Sequence, residues 1–325
     1  MRRLLLALAA LIAAAAAPAA AEPVAITFDD LPTMALSPTT DYALVTTKAL
    51  LAGLRRQHIP AIGFVNEVKL EARDRPERIA LLSRWLDAGM ALGNHSYSHP
   101  HFSTTPVTAY IADVARGEIV TRGLLAARGR PLRWYRHPYL ETGATAQDRA
   151  TFEAWLGAHG YRVAPVSMEN SDWLFALPYD EAVLKGDAAE AERIHQAYLA
   201  FTGKIVPWYR QAALDVLGRR PAFIFLLHAT RLNADSLGEL AAILRANDLK
   251  PVTLDRAMTD PAYAIADDYV GAAGNPWVTR WAMTLHKEMP WKTLPRPPAD
   301  LAAIDARIEG AMTSGLPANP GPAPP

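Results

Sequence analysis

Cysteine is absent from the 325 residues. No disulfide can form, and no thiol is available for lipid attachment, so stability must rest on the packed core. An excess of either charge is absent too: 33 basic residues face 33 acidic ones. There is no electrostatic case for nucleic acid or for an anionic membrane surface as a partner. A second long apolar run is also lacking. The only one begins at Leu4, behind Arg2 and Arg3, and passes through Ala-rich sequence to Ala19-Ala20-Ala21. A basic start, an apolar middle and a small-residue exit read as a secretory signal peptide over residues 1–21. The competing reading is an N-terminal anchor, which the Ala-rich exit disfavours. Cleavage after Ala21 removes Arg2 and Arg3, leaving 31 basic against 33 acidic residues, net −2. The mature chain is expected to be exported, periplasmic or secreted, with no membrane span.

What remains reads as globular, with 50% apolar and 20% charged residues. Strand and helix patterns alternate about seven times. The strands are Val24–Phe28, Ala61–Val65, the run Met90–Gly93, Leu132–Arg136, Tyr161–Val166, Ala222–Leu227 and Val252–Leu254. Pro165 weakens the fifth. Helical spacing runs over Asp41–His58, Ile79–Leu86, about Thr105–Ala127, Ala146–Ala158, most of Asp180–Leu217, and Asp235–Arg245. Near-continuous apolar strands fit a parallel sheet covered on both faces, in a barrel or an open doubly wound sheet. No internal repeat is visible. After Pro261 the alternation stops, and Pro317–Pro325 reads as a disordered tail.

In parallel α/β proteins, function collects at the C-terminal ends of strands. Asp29 and Asp30 end the first strand here. His95 and His99 follow the third, Arg136 ends the fourth, Asp172 and Trp173 follow the fifth, and His228 ends the sixth. In His95-Ser96-Tyr97-Ser98-His99 one turn would bring both imidazoles to the same side, where they could grip a divalent metal. A His pair at that spacing is more often two surface or core residues. The carboxylates on another strand end strengthen the metal reading.

Thr27-Phe28-Asp29-Asp30, His95-Ser96-Tyr97-Ser98-His99, Arg136-His137-Pro138-Tyr139, Ser171-Asp172-Trp173 and Leu226-Leu227-His228 resemble, in order, the five motifs of the polysaccharide deacetylases, the NodB-homology group or carbohydrate esterase family 4. The resemblance covers about Val24–Met258. It implies an α/β fold, a deformed (β/α)7 TIM-like barrel. It makes Asp30, His95 and His99 the ligands of one divalent ion, Zn2+ by preference, with an open position for water. Asp29 would be the general base, Arg136 the arginine that orients it, and Asp172 the acid that holds Arg136. The Tyr139 N–H would serve the oxyanion, and His228 would be the general acid. Leu227 and Trp173 would line the acetyl pocket; the plain alternative is two core residues. Two carboxylates in a row imply an irregular strand end, because neighbours on a strand point to opposite faces.

The expected organisation is a catalytic domain over 22–260, with a helical insertion at about 180–217, and a C-terminal extension over 261–325. The insertion could cover the cleft or form a helix pair beside the barrel. His101 could support the metal pair or sit on the surface. Trp277, Trp281 and Trp291 could stack on sugar rings or pin the extension to its domain; packing is the favoured reading. The expected activity is hydrolytic removal of N-acetyl groups from a peptidoglycan- or chitin-like glycan, the expected partner being that acetylated substrate. The rivals are hydrolysis of O-acetyl esters or a small amide, and a non-catalytic glycan binder of the same fold.

Overall fold

The computed structural model describes residues 21–314. The signal-peptide expectation, Ala21 apart, and the Pro-rich tail lie outside them. The elements run β1 Glu22–Leu31, α1 Thr40–Arg56, β2 Ala61–Val65, α2 Arg75–Asp87, β3 Ala91–Asn94, α3 Val107–Arg116, α4 Ile119–Ala126, β4 Trp134–Tyr135 and α5 Ala146–Ala158. They continue with β5 Arg162–Val163, β6 Met168–Glu169, α6 Asp172–Lys185, α7 Ala188–Leu217, β7 Phe223–His228, α8 Arg231–Ala246, β8 Leu249–Val252, α9 Leu254–Ala257, α10 Trp277–Thr284 and α11 Ala299–Thr313. All strand pairs are parallel, in the order β5-β4-β3-β2-β1-β7-β6, with β8 against the first residues of β1. This is the deformed (β/α)7 barrel.

The fifth position departs from expectation in an informative way. Residues 161–166 do not form one strand. The chain pairs with β4 through Arg162–Val163 and with β7 through Met168–Glu169. Between them Ala164 donates its N–H to Tyr135 at 2.7 Å, and Ser167 donates to Ile224 at 3.0 Å. One continuous segment thus passes from one wall to the other. Pro165 sits at the changeover, where a ladder N–H is not needed.

Central strands are buried on both faces, with Val24, Ile26, Phe28, Ile62, Phe64 and Ile224 at the core. Phe28 meets the Trp85 ring edge-on, centroids 5.7 Å apart. α1 starts at the Thr39 cap, whose side chain accepts the Tyr42 N–H at 3.3 Å, and buries Leu50, Leu51 and Leu54.

Other boundaries shift for local reasons. The expected helix over 105–127 is two helices, broken around Gly117. A Cβ at Gly117 would collide with the backbone of Ser96 and Tyr97, so this glycine lets the helical layer lie directly on the histidine loop. The stretch expected to be helical from Asp180 already begins at Asp172 and contains two helices, parted by Gly186 at φ 72° and the Asp187 cap. The last strand is Leu249–Val252, because Thr253 caps α9 instead of continuing it. Beyond Pro261 regular structure resumes as α10 and α11. Val278, Trp281, Leu301 and Ile308 are buried there. Trp277 is half-buried and donates its backbone N–H to Val166, whereas Trp291 stays 52% exposed. Packing holds for the first two tryptophans of the extension. No helix among the described residues is long and apolar enough to cross a membrane.

Candidate active site

The carboxylate pair ends β1 in the irregular way expected. The β1–β2 register shifts between Phe28 and Leu31, and Asp30 takes φ 69°. A left-handed aspartate breaks the alternation, so adjacent carboxylates reach the same rim. Asp30 meets the histidines of the β3 loop. Its Oδ1 lies 3.7 Å from Nε2 of both His95 and His99. The three ligand atoms fall within 4.8 Å of one another.

Three observations test this cluster as a metal site. The His95 Nδ1 lies 2.8 Å from the Arg136 carbonyl, which takes its N–H and leaves Nε2 as a lone-pair donor toward Asp30. Burial, opposed by the Asp30 charge, lowers both histidines to about 4, so both imidazoles are neutral at neutral pH, the form a metal would need. The buried Asp30 Oδ1 has no hydrogen-bond partner. Burial alone would raise Asp30, but Lys69 and the two histidines hold it well below the ordinary carboxylate range. The donor set fits one divalent cation.

Lys69 was not legible in the sequence. It sits in the short 3-10 turn after β2 and places Nζ 3.1 Å from Asp30 Oδ2. It also donates to the Asp30 and Thr33 carbonyls at 3.3 and 3.4 Å. This engages Oδ2 and leaves Oδ1 for the histidine side. Asn66 donates to the His95 carbonyl at 2.6 Å and fixes that loop.

Asp29 is buried beside Arg136, whose Nη1 donates to Oδ2 at 3.4 Å. Burial pushes the Asp29 carboxyl up to about 6, against the pull of the Arg136 guanidinium. Arg136 is fully enclosed. It lies over the Phe64 ring and donates to Thr27 Oγ1 at 3.1 Å and to the Pro165 carbonyl at 3.4 Å. Arg136 thus lies against Asp29, the contact its expected role requires. Its own holders are Thr27 and Pro165, which corrects the role expected of Asp172.

Asp172 belongs to His228. Its Oδ1 takes the His228 Nδ1 proton at 2.8 Å, and its Oδ2 accepts the His228 backbone N–H at 2.6 Å. The physical reason is local. Ser171, left-handed at φ 50° and held by Glu169, turns the first residue of α6 toward the end of β7. Burial pulls the His228 pKa down, but the Asp172 charge and hydrogen bond outweigh it and raise it to about 9. Asp29 and His228 are direct register partners on adjacent strands. Behind Asp172, Asn233 donates to Oδ2 at 2.5 Å and accepts from the Tyr198 hydroxyl at 2.6 Å. Tyr198 and Thr202, one turn apart on α7, both accept from Asn170. None of these supports forms a contiguous motif.

Tyr139 and Leu140 are consecutive left-handed residues, φ 54° and 55°. Each costs about 1–2 kcal/mol relative to an ordinary conformation. The Tyr139 ring packs edge-on against His99, centroids 4.4 Å apart, and stacks on His101 at 3.8 Å. His101 pairs with buried Glu141 at 2.8 Å and lies outside the metal cluster. Trp173 is 40% exposed at the start of α6, whereas Leu227 is buried in the core.

The family model for polysaccharide deacetylase matches residues 16–155. No curated protein matches the sequence. Among solved structures, the chitin deacetylase of Colletotrichum lindemuthianum is 22% identical, covers 74% of this chain and 88% of its own, and superposes with a TM-score of 0.51. A family 4 carbohydrate esterase from Streptomyces lividans is 20% identical, covering 70% and 90%, TM-score 0.45. A polysaccharide deacetylase from Bacillus cereus is 19% identical, covering 71% and 91%, TM-score 0.48. The first of these supports the barrel; the family match is confined to residues 16–155.

Proposed function

We propose that this chain, with its polysaccharide deacetylase region, is an exported metal-dependent hydrolase. It removes N-acetyl groups from an amino-sugar polysaccharide of the peptidoglycan or chitin class. One observation carries the reading: a carboxylate and a histidine bonded to Asp172 face each other near the ends of adjacent paired strands, beside an Asp-His-His cluster. A binding protein needs the cluster but neither the base nor the acid.

Asp30, His95 and His99 would hold the ion, zinc by preference for two imidazoles and a carboxylate. Bound there, it supplies Lewis-acid polarisation of the acetyl carbonyl and of water. Ionised Asp29 takes the proton of the attacking water as the new C–O bond forms. Arg136 fixes that carboxylate in place and favours its charged form. The developing oxyanion is met by the Tyr139 N–H, carried on a loop already held in its left-handed turn. His228, protonated and oriented by Asp172, gives its Nε2 proton to the amine as the C–N bond breaks. Acetate and a free amino sugar leave. Trp173, exposed on the rim, offers a flat apolar surface to a sugar ring. Leu227 would bound the acetyl methyl from the core side. Export rests on the N-terminal sequence pattern alone.

The test is acetate release from N-acetylglucosamine oligomers, peptidoglycan and O-acetylated xylan, with zinc and with chelator. Chelator-sensitive release from either of the first two supports the reading. Release from xylan alone moves the assignment to an O-acetyl esterase. No release from any, with metal bound, overturns it.

A further inference from the structure

The loop Arg136–Thr142 carries the arginine that orients the proposed base and the amide proposed for the oxyanion. Its two consecutive left-handed residues are neither glycine nor asparagine, so the loop needs support from outside itself. That support comes from residues 267–280, well over a hundred positions later and beyond the matched family region.

The following contacts make it. Arg280, almost fully buried, donates from Nη2 to the Leu140 carbonyl at 2.7 Å. Gly274 lies so close that a Cβ there would collide with the Tyr139 carbonyl oxygen. Thr142 donates its hydroxyl to the Tyr269 carbonyl at 2.8 Å, and its N–H to the Gly271 carbonyl at 3.3 Å. Arg280 is in turn fixed by Asp267 at 3.0 Å and by the Asn275 carbonyl at 2.9 Å, and lies over the Trp277 ring at 3.9 Å. Asp267 is shared with Arg149 of α5. The segment is therefore tied to the barrel on its own account and meets the strained turn with a rigid face.

We propose that the C-terminal segment 267–280 is a clamp that sets the position of the Tyr139 amide, with Arg280 and Gly274 as its positioning residues. A shift of well under an ångström in a donor aimed at a developing oxyanion weakens transition-state binding while leaving substrate binding largely intact. Its effect on rate rests on the proposed deacetylase reading; its effect on the loop does not.

The experiment uses the mature full chain labelled with 15N-tyrosine, as wild type, Gly274→Ala and Arg280→Ala. The Tyr139 amide resonance is expected to move in both variants. In Gly274→Ala kcat for acetate release should fall at least tenfold, with KM and metal affinity within twofold of wild type. Millimolar guanidinium should restore part of kcat in Arg280→Ala and none in Gly274→Ala, because only the first leaves a guanidinium-shaped space. An unmoved Tyr139 resonance in Gly274→Ala overturns the clamp whatever the substrate. So does a rate loss matched by loss of metal. A moved resonance in a protein whose wild type releases no acetate supports the clamp and overturns the proposed function instead.

Discussion

At the scale of single residues, the proposed site divides proton work between two groups that are both shifted upward, for different reasons. Burial raises Asp29 to about 6, and Asp172, overcoming burial, raises His228 to about 9. The productive form has Asp29 ionised and His228 protonated. kcat/KM should therefore rise through pH 6, stay high, and fall through pH 9. Asp172→Asn removes the main charge that lifts His228, and burial is then opposed only by the lesser pull of Asp30 and Asp29. The alkaline limb should drop toward the ordinary histidine value of 6.5 or below, with at least a tenfold loss of rate at pH 8. An alkaline limb still near 9 in this variant would show that His228 is not the acid. The ligands answer to a different measurement. Asp29→Asn keeps the shape and leaves the Asp30–His95–His99 set untouched, so metal content should match wild type while turnover falls about 10²–10⁴-fold. His95→Ala should lose the metal itself. Equal metal in wild type and His95→Ala, by elemental analysis, would remove the ligand assignment.

Elements decide what those residues face. The expected helical insertion could have been a cover or a support, and α7 is a support. It packs on α6, α8 and α10, and its Tyr198 hydroxyl reaches Asn233, which holds Asp172. Tyr198→Phe deletes one buried hydroxyl and leaves the Asn233 oxygen without that donor, a loss of about 1–3 kcal/mol in unfolding free energy. kcat should fall with KM unchanged, because the effect passes through His228. Chemical denaturation reads the first effect and steady-state kinetics the second; a stability loss without a change in kcat would limit Tyr198 to folding. The same elements show where sequence reading stops. Asp29, His95, Arg136 and His228 were legible because each lies in a short contiguous stretch at a strand end, where a parallel fold collects its chemistry. The partner of Asp172 was not. Which cation it meets depends on the left-handed turn at Ser171, and nothing in the residue types around it distinguishes Arg136 from His228. Lys69, Asn233 and Arg280 were invisible for a related reason. Each acts from a helix or turn whose sequence reads as ordinary surface or core, and each acquires its role only through distant packing. Pro165 was half legible: it signalled a break in the strand but not that the two halves would pair with different neighbours.

Across the whole molecule, the site is a product of folding more than of any one segment. Its cluster joins residue 30 to residues 95 and 99; its proposed base and acid join residues 29 and 228; its strained loop joins residues 136–142 to 267–280. The unfolded chain presents none of these constellations. A divalent ion that binds only the folded form must then stabilise the entire cooperative unit, by about 2.7 kcal/mol at a free-ion concentration 100-fold above Kd. For a chain of this size that corresponds to a Tm increase of about 4 °C. Calorimetry with zinc and with chelator measures it. The sensitivity should be lost in His95→Ala and kept in Asp29→Asn, since only the first removes a ligand. It should also be kept in Gly274→Ala, because the clamp bears on the Tyr139 turn and not on the three ligands. If zinc raised the Tm of His95→Ala as much as that of wild type, the ion would be binding elsewhere. The cluster of Asp30, His95 and His99 would then not be the site through which metal and fold are coupled.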